Sequence, residues 1–153
     1  MANTYSQLYT HIVFAVKGRA NLISKKWSDE LYKYICGIVK ANHQKIYAIN
    51  GMPDHIHILI STKPDIALSN IVRDIKSNSS KWINEKKYIL GKFQWQEGFG
   101  AFSCSQSQLG IVIKYIENQE IHHSEKTFKK EYIEFLNKYN ISFDEKYLFE
   151  SVD

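Results

Sequence analysis

Cysteine is nearly absent: Cys36 and Cys104 are the two in 153 residues, far apart and outside any CxxC spacing. They leave room for one disulfide or two reduced thiols, and neither is placed to help build a structural zinc site. No apolar run reaches the roughly 18 residues of a membrane-spanning helix. The N-terminus lacks the basic-then-apolar pattern of a secretory signal. The expectation is a cytoplasmic protein with no membrane partner. No internal repeat or low-complexity segment breaks the chain, so a single domain spanning 1–153 is the simplest organisation.

What is present is an ordinary globular composition, 44% hydrophobic and 24% charged, with a formal charge of +4. The excess is local. Lys63, Arg73, Lys76, Lys81, Lys86, Lys87 and Lys92 face only Asp65, Asp74 and Glu85 between residues 63 and 92, while the tail (Asp144, Glu145, Glu150, Asp153) is acidic. A basic excess confined to one stretch points to a polyanionic partner more strongly than the total does.

Along the chain, 5–16 alternate and are rich in β-formers, which predicts a first strand with Leu8, Ile12, Phe14 and Val16 on one face and Tyr9, His11 and Val13 on the other. Helical spacing of Trp27, Leu31, Tyr34, Ile35, Ile38 and Val39 predicts a helix over 24–41. A short strand follows at 44–50, with Asn50-Gly51 as a hairpin turn signal, and then a strand at 55–61. Residues 66–84 read as a second helix whose polar face carries Arg73, Lys76, Asn78, Ser79 and Ser80. Short donors beside cations suit phosphate oxygens, and they also suit a solvated helix face. Residues 93–104 read as a fourth strand interrupted by a turn at Gly98 and Gly100. Ser105 or Ser107 is a candidate cap for a helix over 107–121, and 127–139 form an amphipathic helix with Phe128, Tyr132, Phe135, Leu136 and Tyr139 as its docking stripe.

The order β-α-β-β-α-β followed by helices is the α+β, ferredoxin-like split βαβ antiparallel sheet, here with an additional C-terminal helix that carries a tyrosine. Two helices cover one sheet face and leave the other available. In Met52-Pro-Asp-His55-Ile-His57-Ile-Leu-Ile60, alternation puts His55 and His57 on one face about 7 Å apart and the isoleucines on the other. His11 then joins them from the neighbouring strand. Two such imidazoles can hold one metal ion, although an HxH pair is also common as structural histidine. In Lys114-Tyr115-Ile-Glu-Asn-Gln119, Tyr115 and Gln119 are four apart and share a helical face. A phenolic oxygen is a competent nucleophile and an amide oxygen a competent metal ligand; a surface tyrosine and glutamine satisfy the same spacing. His122-His123 follow as a second candidate metal pair, or as exposed side chains at a helix end.

Pro-Asp-His55-Ile-His57-Ile-Leu-Ile resembles the histidine-hydrophobe-histidine (HUH) motif of single-strand DNA transposases. The segments Ile75-Lys-Ser-Asn-Ser-Ser-Lys81-Trp82, Trp95-Gln-Glu-Gly98-Phe-Gly100-Ala-Phe-Ser and Tyr115-Ile-Glu-Asn-Gln119-Glu-Ile-His122-His123 follow in that family's order. The chain is thereby similar, to about residue 149, to the single-tyrosine HUH transposases of insertion sequences and their relatives acting at repetitive extragenic palindromes. Phe99 departs from the tyrosine expected in many members. The resemblance implies Tyr115 as nucleophile and His55, His57 and Gln119 as ligands of Mg²⁺ or Mn²⁺. It further implies a 5′-phosphotyrosine intermediate with release of a 3′-hydroxyl. Single-stranded or hairpin DNA would lie along Arg73, Lys76, Ser80 and Lys81, with His11 supporting the metal ligands. A homodimer is also implied, with the tyrosine helix able to cross between subunits on the slack of 98–100 and 103–107. A phenol of pKa about 10 needs help to lose its proton, and no residue in the sequence identifies the base.

Two other readings compete. One is a domesticated relative that binds or cuts palindromic repeats. The other is a ferredoxin-like RNA-binding module using Tyr9 and similar sheet aromatics to stack bases; it lacks the RNP1-type pattern such a module carries.

Overall fold

A computed structural model describes residues 3–123, 126–144 and 148. Among them four strands, β1 (Leu8–Ala15), β2 (Lys45–Met52), β3 (His55–Thr62) and β4 (Gly100–Cys104), form one sheet. Its order is β2-β3-β1-β4, and every neighbouring pair is antiparallel. Helices α1 (Ser28–Ala41) and α2 (Leu68–Lys86) follow β1 and β3, and the tyrosine segment follows β4. The split βαβ plan read from the element order is the one observed.

Each core element follows from its apolar spacing. Leu31, Ile35 and Val39 recur every four residues and are buried on α1, whose first turn carries Asp29 and Glu30 at the positive end of the helix dipole. Ile71, Val72, Ile75 and Ile83 do the same on α2, which ends where Lys87 turns left-handed at φ 56°. These side chains pack on Ile12, Phe14, Val16, Ile56, Ile58 and Ile60, the even-numbered face of β1 and β3. Phe93 and Trp95 complete this core.

Most element ends shift by a few residues from the sequence reading, and some of the differences bear on the site. Strand β2 runs through Asn50 and Gly51, and the turn lies at Pro53-Asp54, with Met52 opposite His55. Gly51 is there for close approach: a Cβ would collide with the His55 carbonyl oxygen. Asn50 donates through Nδ2 to the carbonyls of Ile116 and Glu117 at 3.0 and 3.1 Å, satisfying the end of the tyrosine helix. The fourth strand is confined to 100–104. Upstream, Trp95 makes a single bridge to Val16 and Asn84 clamps Phe93 through both its N–H and its carbonyl.

The expected helix over 107–121 is broken at Asn118 (φ −100°, ψ 31°) into α3 (Leu109–Glu117) and α4 (Gln119–His123). Helix α5 (Phe128–Lys138) starts at Thr127, whose hydroxyl accepts from Lys130 N–H at 3.3 Å. Finally, the second sheet face is not open. Helix α3 covers Ala48 and Leu59 with Ile116, and α5 covers Val13, Ala15 and Phe102 with Phe128, Tyr132 and Leu136. Among the described residues, no helix is long and apolar enough to cross a membrane.

Candidate active site and metal centre

Between the two apolar patches of that second face lies a buried polar cluster. Alternation along β3 presents His55 and His57 to it, and β1 adds His11. His55 and His57 are 0% exposed, Gln119 0%, Glu131 1% and His11 4%. Polar groups removed from water this completely must find partners, and they find one another.

His55 Nδ1 lies 2.6 Å from Asp54 Oδ1. In the tautomer whose Nδ1–H donates to that carboxylate, the Nε2 lone pair faces inward. That nitrogen is 3.2 Å from Gln119 Oε1 and 3.7 Å from Glu131 Oε1. His57 Nε2 is 3.1 Å from the same Glu131 oxygen, and its Nδ1 is 2.8 Å from His11 Nε2. Burial, with His57 beside it, pushes the His11 pKa well below its ordinary value. Tyr115 donates its hydroxyl to Glu131 Oε2. Burial first and that carboxylate second push the phenol pKa well above its ordinary value. Aromatic rings wall the cluster: Phe128 stacks on His55 with centroids 4.0 Å apart, and Phe135 stands edge-on to His11 and Tyr115. A cleft of about 140 Å³, lined by Tyr115, Lys126, Glu131, Glu134, Phe135 and Lys138, leads in from the surface.

The fold thus gathers His55, His57, Gln119, Tyr115 and His11 in one place. Tyr115 and Gln119 reach it from two helices separated by the break at Asn118, with Gln119 Nε2 still 3.4 Å from the Tyr115 carbonyl. Glu131 was not singled out from the sequence. Its signal was a carboxylate at i+3 within the apolar stripe Phe128, Tyr132, Phe135, Leu136, a position that has to be buried. His55, His57 and Glu131 each offer a ligand atom within 4.8 Å of the others. Two imidazole nitrogens with one carboxylate and one amide oxygen make a donor set suited to a first-row divalent ion. The side chains of His122 and His123, like Glu145, Glu150 and Asp153 of the acidic tail, lie outside the described residues.

Arg73, Lys76, Ser80 and Lys81 line a separate cavity of about 740 Å³ between α2 and residues 92–99, with Lys17 and Lys92 beside them. Helix α2 packs on the isoleucine face, so this groove lies across the sheet from the histidines. Arg73 and Lys81 are exposed at its edge. Lys76 is half-buried and donates to the carbonyls of Gln96 (2.9 Å) and Gly98, and burial lowers its pKa to about 8. Ser79, placed among the surface donors by the helical reading, is fully buried and accepts from Trp95 Nε1 at 2.9 Å. Tyr9, the base-stacking candidate of the RNA-binding reading, is only 7% exposed and packs edge-on against Tyr47.

The family described as "Transposase IS200 like" matches residues 4–119 of this sequence. The chain is similar to the ISDra2 transposase TnpA of Deinococcus radiodurans, at 26% identity over 118 residues, covering 74% of this chain and 84% of that protein. Its fold is similar to a crystal structure from D. radiodurans R1 assigned as a transposase, with TM-score 0.62 and 22% identity over 78% of this chain and 95% of that one. It is also similar to a REP-associated tyrosine transposase bound to a REP hairpin, with TM-score 0.61 and 17% identity over 80% of this chain and 73% of that one. Helix α5 and its Glu131 fall beyond the matched segment, which ends at 119.

Proposed function

This chain belongs to the IS200-like transposase family, and from that premise we propose that it cuts and rejoins single-stranded DNA through a 5′-phosphotyrosine at Tyr115, aided by Mg²⁺ or Mn²⁺ on His55, His57 and Gln119. The observation that carries this reading is the convergence of a phenolic hydroxyl with two inward-facing imidazoles and an amide oxygen in one buried cluster. The residues fit a cation: with its proton held on Nδ1 by Asp54, His55 Nε2 faces the oxygens of Gln119 and Glu131, acceptor against acceptor. When bound, a divalent ion supplies charge withdrawal from a non-bridging phosphate oxygen.

The chain's own residues do the rest. Tyr115 oxygen attacks phosphorus, the bond to the 3′-oxygen breaks, and that oxygen leaves as a hydroxyl. The enzyme keeps the 5′-phosphate as a tyrosyl diester, whose conserved energy allows a second 3′-hydroxyl to be joined without ATP. Burial and the Glu131 hydrogen bond favour the neutral phenol, so its proton has to be taken up in the course of the attack. His11 and Asp54 orient the two metal-binding rings.

The α2 groove, with Arg73, Lys81 and Lys92 at its mouth and Trp95 and Phe99 in its wall, supports binding of single-stranded or hairpin DNA. The edge strands β2 and β4 offer backbone for pairing two subunits into a homodimer, and the cytoplasm is where such a protein meets its DNA. The likeness to a hairpin-bound relative keeps a second reading in view, a domesticated nuclease acting at palindromes.

The test is a denaturing gel of protein with single-stranded oligonucleotides from both flanks of its gene, with Mn²⁺, Mg²⁺ or chelator. An adduct that needs both metal and Tyr115 is expected. An adduct formed equally by Tyr115→Phe would overturn the assignment. Cutting at element ends with subterminal hairpins supports transposition, and cutting at scattered short palindromes supports the domesticated role.

A further inference from the structure

We propose that Glu131 is a fourth ligand of the metal centre and that its second oxygen holds the Tyr115 hydroxyl, so that one α5 carboxylate ties the nucleophile to the cation. The inference rests on the metal-site reading above and extends it beyond the matched segment of the chain.

Three observations carry it. First, Glu131 is 1% exposed, and a carboxylate so fully removed from water is held by paired groups or by a metal. Glu131 Oε1 points at His57 Nε2 (3.1 Å) and His55 Nε2 (3.7 Å), the two ring nitrogens a cation would use. Second, the His55, His57 and Glu131 ligand atoms all lie within 4.8 Å of one another, and Gln119 Oε1 is 3.2 Å from His55 Nε2. Donor atoms that converge this closely on one point can face a single cation. Third, the carboxylate is divided between two tasks, with Oε1 toward the imidazoles and Oε2 accepting from Tyr115.

Its position is fixed by packing on both sides. Phe128, one turn earlier, stacks on His55, and Phe135, one turn later, stands edge-on to His11. Glu131 N–H donates to the Thr127 carbonyl at 3.0 Å, so the first turn of α5 is closed where the carboxylate leaves it. A site aligned by a rigid surround in this way is pre-organised rather than assembled on binding. With His55, His57 and Gln119 alone the ligand set is neutral; Glu131 adds the one negative charge, which favours a hard divalent ion such as Mn²⁺ or Mg²⁺.

The test is calorimetric titration of Mn²⁺ into the DNA-free full chain, for wild type and for Glu131→Gln, His57→Ala and Tyr115→Phe. Glu131→Gln keeps the shape and removes the charge. It is expected to weaken Mn²⁺ by about 10-fold or more, and Tyr115→Phe, which removes a hydrogen bond to Glu131 and no ligand atom, is expected to weaken it less than Glu131→Gln does. His57→Ala is expected to lose binding. If Glu131→Gln binds as wild type does while His57→Ala fails, Glu131 is no ligand and the histidine site stands. If His57→Ala also binds as wild type does, the metal-site reading falls and this inference with it. Should Glu131→Gln not fold, anomalous scattering from Mn²⁺ in wild-type crystals decides. A Glu131 oxygen within about 2.3 Å of the ion supports the proposal, and an ion on the histidines with Glu131 beyond that distance overturns it.

Discussion

The two faces of the sheet are built from the same strands and do opposite things. On the α1/α2 face, β1 and β3 present Ile12, Phe14, Ile56, Ile58 and Ile60, all fully buried and all apolar. On the α3–α5 face the same strands present His11, His55 and His57, just as deeply buried, and the covering helices answer with Gln119 and Glu131. Apolar burial needs only shape and area. Polar burial is costly unless every group is answered, so a face that keeps five such residues together is shaped by chemistry rather than by stability.

The largest effect is expected from the smallest change on the polar face. Tyr115→Phe removes one oxygen and should lower DNA cleavage by about a thousandfold or more. DNA affinity, measured by filter binding, should stay within about twofold because the groove residues lie across the sheet. Next, matched truncations should separate the faces in urea unfolding. Ile58→Ala is expected to cost about 2–5 kcal/mol through a cavity in the α1/α2 core. The pair His57→Leu with Glu131→Met removes both partners of a buried polar contact and should cost less than about 1 kcal/mol, or stabilise, while cleavage is lost. Equal losses from the two sets would erase the distinction between the faces.

Much of this contrast was legible in the sequence. Strict alternation through His55-Ile56-His57-Ile58 assigned each side chain to its face, and the 3.6-residue spacing of α1 and α2 assigned their partners. Alternation is local, so it survives into the fold. What could not be read depended on contacts distant along the chain. Asn50-Gly51 has the composition of a turn, yet Asn50 is used by the carbonyls ending α3 and Gly51 by the close approach of β3. The helix break falls at Asn118, a residue type common at helix ends, and a single asparagine inside an otherwise periodic stretch is too weak a signal to place it. Glu131 also carried a local sign, an acid within an apolar stripe, which the sequence reading did not single out. Only the docking of α5 shows what it faces.

Smaller effects belong to the α2 groove. Arg73→Ala with Lys81→Ala should weaken single-stranded DNA binding several-fold and reduce the slope of log affinity against log salt by about 1.4, roughly 0.7 for each phosphate no longer neutralised. An unchanged slope would remove these side chains from the DNA interface. The smallest effect is a pH step. Burial lowers Lys76 to about 8, so its charge is present below that pH and lost above it. DNA affinity should therefore fall as pH rises through about 8 in wild type, and Lys76→Met should flatten that step in a fluorescence-anisotropy titration.

The most direct measurement of the central claim is mass spectrometry of the trapped covalent complex after protease and nuclease digestion. The chain has ten tyrosines, and Tyr132 and Tyr139 also stand on the polar side, packed near Phe102. A 5′-nucleotide found on the Tyr115 peptide alone is the expected result. A nucleotide on any other tyrosine, or on no tyrosine in a complex that is nonetheless covalent, would contradict the account.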